Sequence, residues 1–171
     1  KEAKIALNIA ESENSEIDMF AAMHLLTKIY ITKGICKLES ASLIDRCIDL
    51  SSKIDNPAMM GACYILYGQY HIKWKDYEEA KQSLLNAKLK LSSYNPTSKV
   101  VTELYYSFIE LCKEMNDDIG TKKYYERAIE GIKSNTTICD DDWQILLGYA
   151  QWLYSIDEYE HSLEIIWECI S

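Results

Sequence analysis

One spacing constrains this chain more than any other property. Four small residues, Cys47, Ala87, Ala128 and Cys169, stand at equivalent places in a recurring pattern, with separations of 40, 41 and 41 residues. A period of that length is one supersecondary unit repeated, because a single unit cannot bury its own apolar face and must stack on copies of itself. The anchor is Tyr64-x-x-Tyr67-Gly68-x-x-His71, followed by Asp76-Tyr77-x-x-Ala80-x-x-x-Leu84-x-x-Ala87. The apolar and small positions recur at three and four residues, the helical interval. Glycine or alanine falls where two helices approach closely.

Three other stretches carry the pattern. One is Met23-x-x-Leu26-Thr27-x-x-Tyr30 with Leu38, Ser40, Ile44 and Cys47. Another is Tyr105-x-x-Phe108-Ile109-x-x-Cys112 with Ile119, Thr121, Tyr125 and Ala128. The last is Leu146-x-x-Tyr149-Ala150-x-x-Leu153 with Asp157, Tyr159, Ser162, Ile166 and Cys169. Two departures stand out: Ile109 replaces the small residue, and the first repeat has a turn one residue longer.

Composition agrees with helices. Only 6 Gly and 2 Pro occur in 171 residues, too few for a turn-rich sandwich or barrel. Thirteen Tyr against 2 Phe imply that tyrosine fills many half-buried positions. Asn56-Pro57 and Asn95-Pro96 read as a capping side chain before proline at the first helical position. Asp76 with Glu79, and Asp157 with Glu160, have the spacing of a capping box. The spacing predicts nine helices, over residues 1–11, 15–33, 38–53, 57–74, 77–92, 97–115, 118–133, 141–155 and 158–170.

The anchor and its echoes resemble the tetratricopeptide repeat family. The period exceeds that family's standard of about 34 residues. It is similar to the lengthened repeats of kinesin light chains, the cohesin-loader scaffold, anaphase-promoting-complex scaffolds, bacterial peptide-sensing regulators and the helical regions of giant phosphatidylinositol-3-kinase-like kinases. The resemblance implies an all-α, right-handed α-solenoid of antiparallel helix pairs. Segment 1–11 is then the second helix of a preceding repeat, followed by repeats at 15–53, 57–92, 97–133 and 141–171 in a single solenoid. An unpaired first helix, and a last helix carrying Trp167, suggest an excerpt of a longer chain.

Charge and motif content exclude several functions. The net charge is −9, the opposite of the basic footprint that displaces counterions from nucleic acid. No apolar run reaches the roughly 18–20 residues that span a bilayer. Six cysteines, Cys36, Cys47, Cys63, Cys112, Cys139 and Cys169, could form disulfides. They lie mostly on apolar helical faces without Cys-x-x-Cys pairs, so buried free thiols in an intracellular compartment, cytoplasmic or nuclear, are expected. The sequon Asn135-Thr136-Thr137 carries little weight. His71 is expected to pack and hydrogen-bond, and His161 to be solvated beside Glu158 and Glu164. No histidine or cysteine spacing suits zinc. Asp140-Asp141-Asp142 lacks the glycine and alternation of a calcium loop and reads as a helix start. Nothing resembles a nucleophile or phosphate loop, so no enzyme and no cofactor are expected. Trp74, Trp143, Trp152 and Trp167 are each expected in the core by default, with packing on a following repeat as the alternative for Trp167.

In the resemblance, the first helices of the repeats line a concave groove. Residues offset from the packing positions face it: Lys28 and Ile31 (with His24 and Thr32), then Gln69, Ile72 and Lys73 (with Ala62 and Ile65). Glu103, Tyr106, Glu110, Lys113 and Glu114 follow, then Gln151 and Tyr154 with Gln144 and Leu147. The expected function is a scaffold that binds a partner peptide or helix within a multi-subunit assembly, with a basic segment of the partner over Glu103, Glu110 and Glu114. Two alternatives stand beside it: a regulatory segment of a large enzyme with no groove of its own, and a bacterial peptide sensor. The Lys, Asn and Arg clamp with which some family members hold a C-terminal carboxylate is missing.

Overall fold

The computed structural model describes the backbone of residues 2–94, 98–133 and 140–170, and their side chains except at 140, 141 and 168–170. Nine α-helices and no strand occur among the described residues. They are α1 (Glu2–Glu13), α2 (Glu16–Lys33), α3 (Lys37–Ile54), α4 (Pro57–Lys73), α5 (Tyr77–Lys90), α6 (Lys99–Glu114), α7 (Asp118–Lys133), α8 (Asp140–Ser155) and α9 (Tyr159–Ile170). The chain divides into two compact units, Lys1–Tyr94 and Asn95–Ser171. The division falls at the expected link between the second and third repeats. No helix among the described residues is long and apolar enough to cross a membrane.

In the first unit, α1 packs on α2, α2 on α3 and α4, α3 on α4, and α4 on α5. Helix α5 shows why. Ala80, Ser83, Leu84 and Ala87 are its buried residues, a stripe at intervals of three and four. Leu84 is fully enclosed, which stabilises the hairpin by about 1.5–3 kcal/mol. A Cβ placed on Gly68 would lie 2.5 Å from Leu84 Cδ2, so glycine here leaves the space that the Leu84 side chain fills between α4 and α5. Asn56 begins α4 as expected: its side chain accepts hydrogen bonds from the Ala58 and Met59 amides at 3.0 and 3.2 Å.

In the second unit, α6 packs on α7, α7 on α8 and α8 on α9. Its core joins Ile109, Tyr125, Ile129, Leu146, Tyr149 and Trp152 with neighbours from α7 to α9. The Phe108 and Tyr124 rings stack at 4.4 Å across the α6–α7 hairpin.

The backbone repeats as the residues do. Gly34, Lys75, Asn116 and Asp157 adopt positive φ (65°, 64°, 55°, 64°), each just after the first helix of a hairpin, in three successive steps of 41. This left-handed turn closes a helix by returning amides to its last carbonyls, as Gly34 N–H does to the Ile31 carbonyl. From that turn to the small buried residue of the next helix is 13 residues in the first hairpin, Gly34 to Cys47, and 12 from Lys75 to Ala87 and from Asn116 to Ala128. The extra residue of the first turn is absorbed at Cys36, which also has positive φ, 54°.

The structure corrects three expectations. Neither proposed capping box forms. The Asp76 carboxylate turns to His71 Nδ1 at 3.3 Å instead of the α5 amides. Asp157 occupies the left-handed turn and accepts a hydrogen bond from the Tyr159 hydroxyl. At α7 a cap does form: Asp117 accepts from the Gly120 amide at 2.9 Å. Second, Ile31 and Ile65 are buried, 6% and 1% exposed, because Ile31 packs with Ile44, Leu66 and Tyr70 between helices. Third, Trp143 and Trp167 are exposed at 40% and 67%, whereas Trp152 is in the core and Trp74 is half-buried on Tyr70.

Cys47, Cys63 and Cys112 are buried free thiols, and Cys36 is an exposed one. Cys47 is held above the ordinary thiol range by its hydrogen bond with Cys63, then by burial. The Asn95-Pro96 cap, the sequon, Cys139, the Cys169 thiol and the carboxylates of Asp140 and Asp141 lie outside what the structure describes; α8 does open on the acidic run.

Candidate interaction pocket

The second unit holds a pocket of about 290 Å³ lined by α6, α7 and α8. Its walls are two matching stripes. Helix α6 contributes Tyr106, Ile109, Glu110 and Lys113; α8 contributes Gln144, Leu147, Gly148 and Gln151. Each set is spaced i, i+3, i+4, i+7, so each is one face of its helix. Tyr125 of α7 closes the floor between them.

The floor is fixed by packing. The Tyr125 ring is 3% exposed and stacks on Tyr149 with centroids 4.9 Å apart. A Cβ on residue 148 would lie 3.1 Å from the Tyr125 hydroxyl, so Gly148 is what leaves that oxygen open to the pocket. Lys113 Nζ donates to the hydroxyl at 2.7 Å and sits 5.0 Å from the ring centroid. Burial lowers the Lys113 ammonium below the usual lysine range, with Glu110 pulling the other way. Burial likewise raises the phenols: Tyr125 above its ordinary range, with Tyr106 and Glu110 adding to the effect, and Tyr106, with Glu110 adding. The pocket therefore penalises charge of either sign on its own residues.

Most of the expected groove residues of this unit come together here. Tyr106, Glu110, Lys113 and Gln151 line the pocket, as do Gln144 and Leu147. Glu103 and Glu114 lie on α6 outside it, and Tyr154 lies on α8 with its ring edge against Tyr159 at 5.1 Å. In the first unit, Lys28 lies on α2, and Gln69, Ile72 and Lys73 on α4. Ile72 is half-buried, and Lys73 runs past Gly34, where a Cβ would meet its Cε at 3.0 Å. Ile31 belongs to the core.

Three pocket residues escape the groove reading: Ile109, a packing residue of the repeat pattern, Tyr125 and Gly148. Tyr125 stands on a second helix, at the position that Leu84 and Ile166 hold in their repeats. A hydroxyl at an otherwise aliphatic place is the signal that could have found it. Gly148 has no such mark, since it is not the small residue of the repeat pattern. The histidines do not take part: His71 is half-buried against Tyr67 at 4.7 Å, and His161 sits 3.5 Å from Glu158 and edges onto Tyr149. No cluster of three His, Cys, Asp or Glu residues suited to a metal ion occurs among the described residues. Comparison with family models, with curated protein sequences and with solved structures gives no match.

Proposed function

We propose that this chain is a protein-interaction scaffold of the long-period tetratricopeptide type, which holds a peptide or helix of a partner within a larger assembly and performs no chemistry itself. The reading extends the helical hairpins into a right-handed solenoid whose first helices form the binding surface. What carries it is the pairing of two i, i+3, i+4, i+7 stripes, on α6 and α8, around one pocket. Such a surface offers apolar contact at Leu147 with polar groups on either side, the mixture by which helical grooves select peptides. Glu103, Glu110 and Glu114 share α6 and give its exposed side an acidic character suited to a basic stretch of the partner.

The test is a charge reversal. Glu114→Lys, on α6 outside the pocket, should weaken binding of the co-purifying partner about tenfold in calorimetric titration. The thermal midpoint should stay within about a degree of the parent, since Glu114 is exposed. Unchanged affinity with an intact fold refutes the groove.

A further inference from the structure

We propose that the pocket between α6 and α8 receives the side-chain carboxylate of an aspartate or glutamate in the bound peptide, seated between Lys113 and Tyr125. This rests on the groove reading and specifies what enters the groove.

An ammonium has three N–H donors and no acceptor. Among the described residues, Lys113 spends one donor, on the Tyr125 hydroxyl, and makes no ion pair within 4 Å. Because Tyr125 accepts that bond, its own proton points elsewhere, and no protein group of the described residues receives it. Burial keeps that phenol protonated, so it remains a donor. The side chains of Tyr106, Gln144 and Gln151 also make no hydrogen bond within the described chain, and all three line the pocket. Five donor-bearing side chains thus line one cavity, Tyr125 buried and Lys113, Tyr106, Gln144 and Gln151 exposed at its mouth. The amides and phenols can also accept, but the Lys113 ammonium only donates, so an acceptor is what the Lys113–Tyr125 end of the cavity can take.

Charge points the same way. Lys113 is partly desolvated, and the nearby Glu110 does not outweigh that penalty. An arriving anion relieves it, whereas an arriving cation adds like charge. Glu110 limits how much anion the pocket accepts. It is three residues before Lys113 on the same face of α6 and already has an interaction within the chain. It disfavours a doubly charged phosphate and steers a single carboxylate toward the Tyr125 side. Size agrees: about 290 Å³ lies at the lower edge of ordinary ligand pockets, room for a side chain rather than a whole cofactor. Leu147, an exposed residue of the α8 wall, then meets the apolar stem.

The experiment uses the whole 171-residue chain and three blocked pentapeptides, acetyl-Ala-Leu-Xaa-Leu-Ala-amide with Xaa as Glu, Gln or Lys. Blocked ends leave the central side chain as the only charge. Binding is followed by nuclear magnetic resonance at the Gly148 amide and the Gln151 side-chain amide. The Glu peptide should bind about tenfold more tightly than the Gln peptide, as one charge-assisted hydrogen-bond pair allows, and the Lys peptide should bind least. Lys113→Met, which keeps the stem, should abolish the preference for Glu over Gln. Tyr125→Phe should reduce it about threefold. Equal binding of the Glu and Gln peptides, or a Glu preference that survives Lys113→Met, overturns the proposal. Preference for the Lys peptide overturns it too but leaves the groove standing. No resonance shift with any peptide at millimolar concentration defeats both.

Discussion

The α4–α5 hairpin of the first unit and the α6–α7 hairpin of the second are the same device built with different volumes. A shift of 41 residues superimposes their sequence positions: Ala80 on Thr121, Ala87 on Ala128, Gly68 on Ile109, Leu84 on Tyr125. Ala80, Ala87, Thr121 and Ala128 are all buried, so both hairpins close on small residues. The other two pairs differ. In the first hairpin, glycine is opposite leucine, and Leu84 fills the space a Cβ at Gly68 would need. In the second, isoleucine and tyrosine replace them, and the larger ring reaches beyond its own hairpin to Tyr149 and Gly148 of α8. The same shift places Lys113 where the first unit has Ile72, and Glu110 where it has Gln69. One hairpin closes its seam completely; the other leaves a phenol and an ammonium facing a cavity. A repeat becomes a site where its sequence departs from its sister at packing positions, not where it conforms.

That contrast can be broken by moving residues between the hairpins. The largest effect is expected from Ile109→Gly, which gives the second hairpin the glycine of the first without Leu84 to fill the space. Ile109 is 1% exposed. Loss of its side chain and the glycine penalty in a helix should cost on the order of 4 kcal/mol in denaturant unfolding. A loss below about 1 kcal/mol would show that Tyr125, not Ile109, sets the spacing.

Gly68→Ala tests the other side. The added methyl would overlap Leu84 Cδ2 and Cγ, at 2.5 and 2.7 Å from an ideal Cβ. Overpacking should destabilise by about 2 kcal/mol even though alanine favours helix. A stabilised variant would mean that Leu84 turns aside at no cost, and the tight seam would not be what distinguishes the first hairpin.

The smallest effect carries the opposite sign. Tyr149 is 1% exposed, and its buried hydroxyl has no hydrogen-bond partner among the described residues. Its pKa is pushed up to about 12 by burial, with Glu126 and Glu158 adding to the effect. The folded state therefore holds a proton that the unfolded chain releases near pH 10. Stability from this group is complete below about pH 10 and declines between about 10 and 12. Tyr149→Phe should gain up to about 1 kcal/mol at neutral pH by removing an unsatisfied buried polar group. It should also flatten the alkaline fall in thermal midpoint. Destabilisation at neutral pH would reveal a partner for that hydroxyl.

Much of the architecture could be read from the residues, because helical period, capping and small-residue spacing are local or recur at a fixed interval. The helix bounds lie within a few residues of those expected, and the longer first turn is present at Cys36. What went astray depends on which way a side chain turns. Asp76 has the spacing of a cap, yet His71, at the end of the preceding helix, offers its carboxylate a partner in space. Ile31 and Ile65 have groove spacing, but the first helices of the first unit are enclosed on more than one side. Periodicity assigns residues to faces of a helix; it does not tell how many faces are covered.

The candidate site divides in the same way. The sequence by itself determined that Tyr106, Glu110 and Lys113 would share one face of α6, and Gln144, Leu147 and Gln151 one face of α8, since residues at i, i+3, i+4 and i+7 share a face whatever surrounds them. Only the tertiary structure decided that the two stripes bound one cavity, that Gly148 leaves its floor open and that the Tyr125 hydroxyl meets Lys113 there. Those facts depend on distances between helices, and the distances are set by side-chain volumes such as Ile109 and Tyr125 packed against residues far away along the chain.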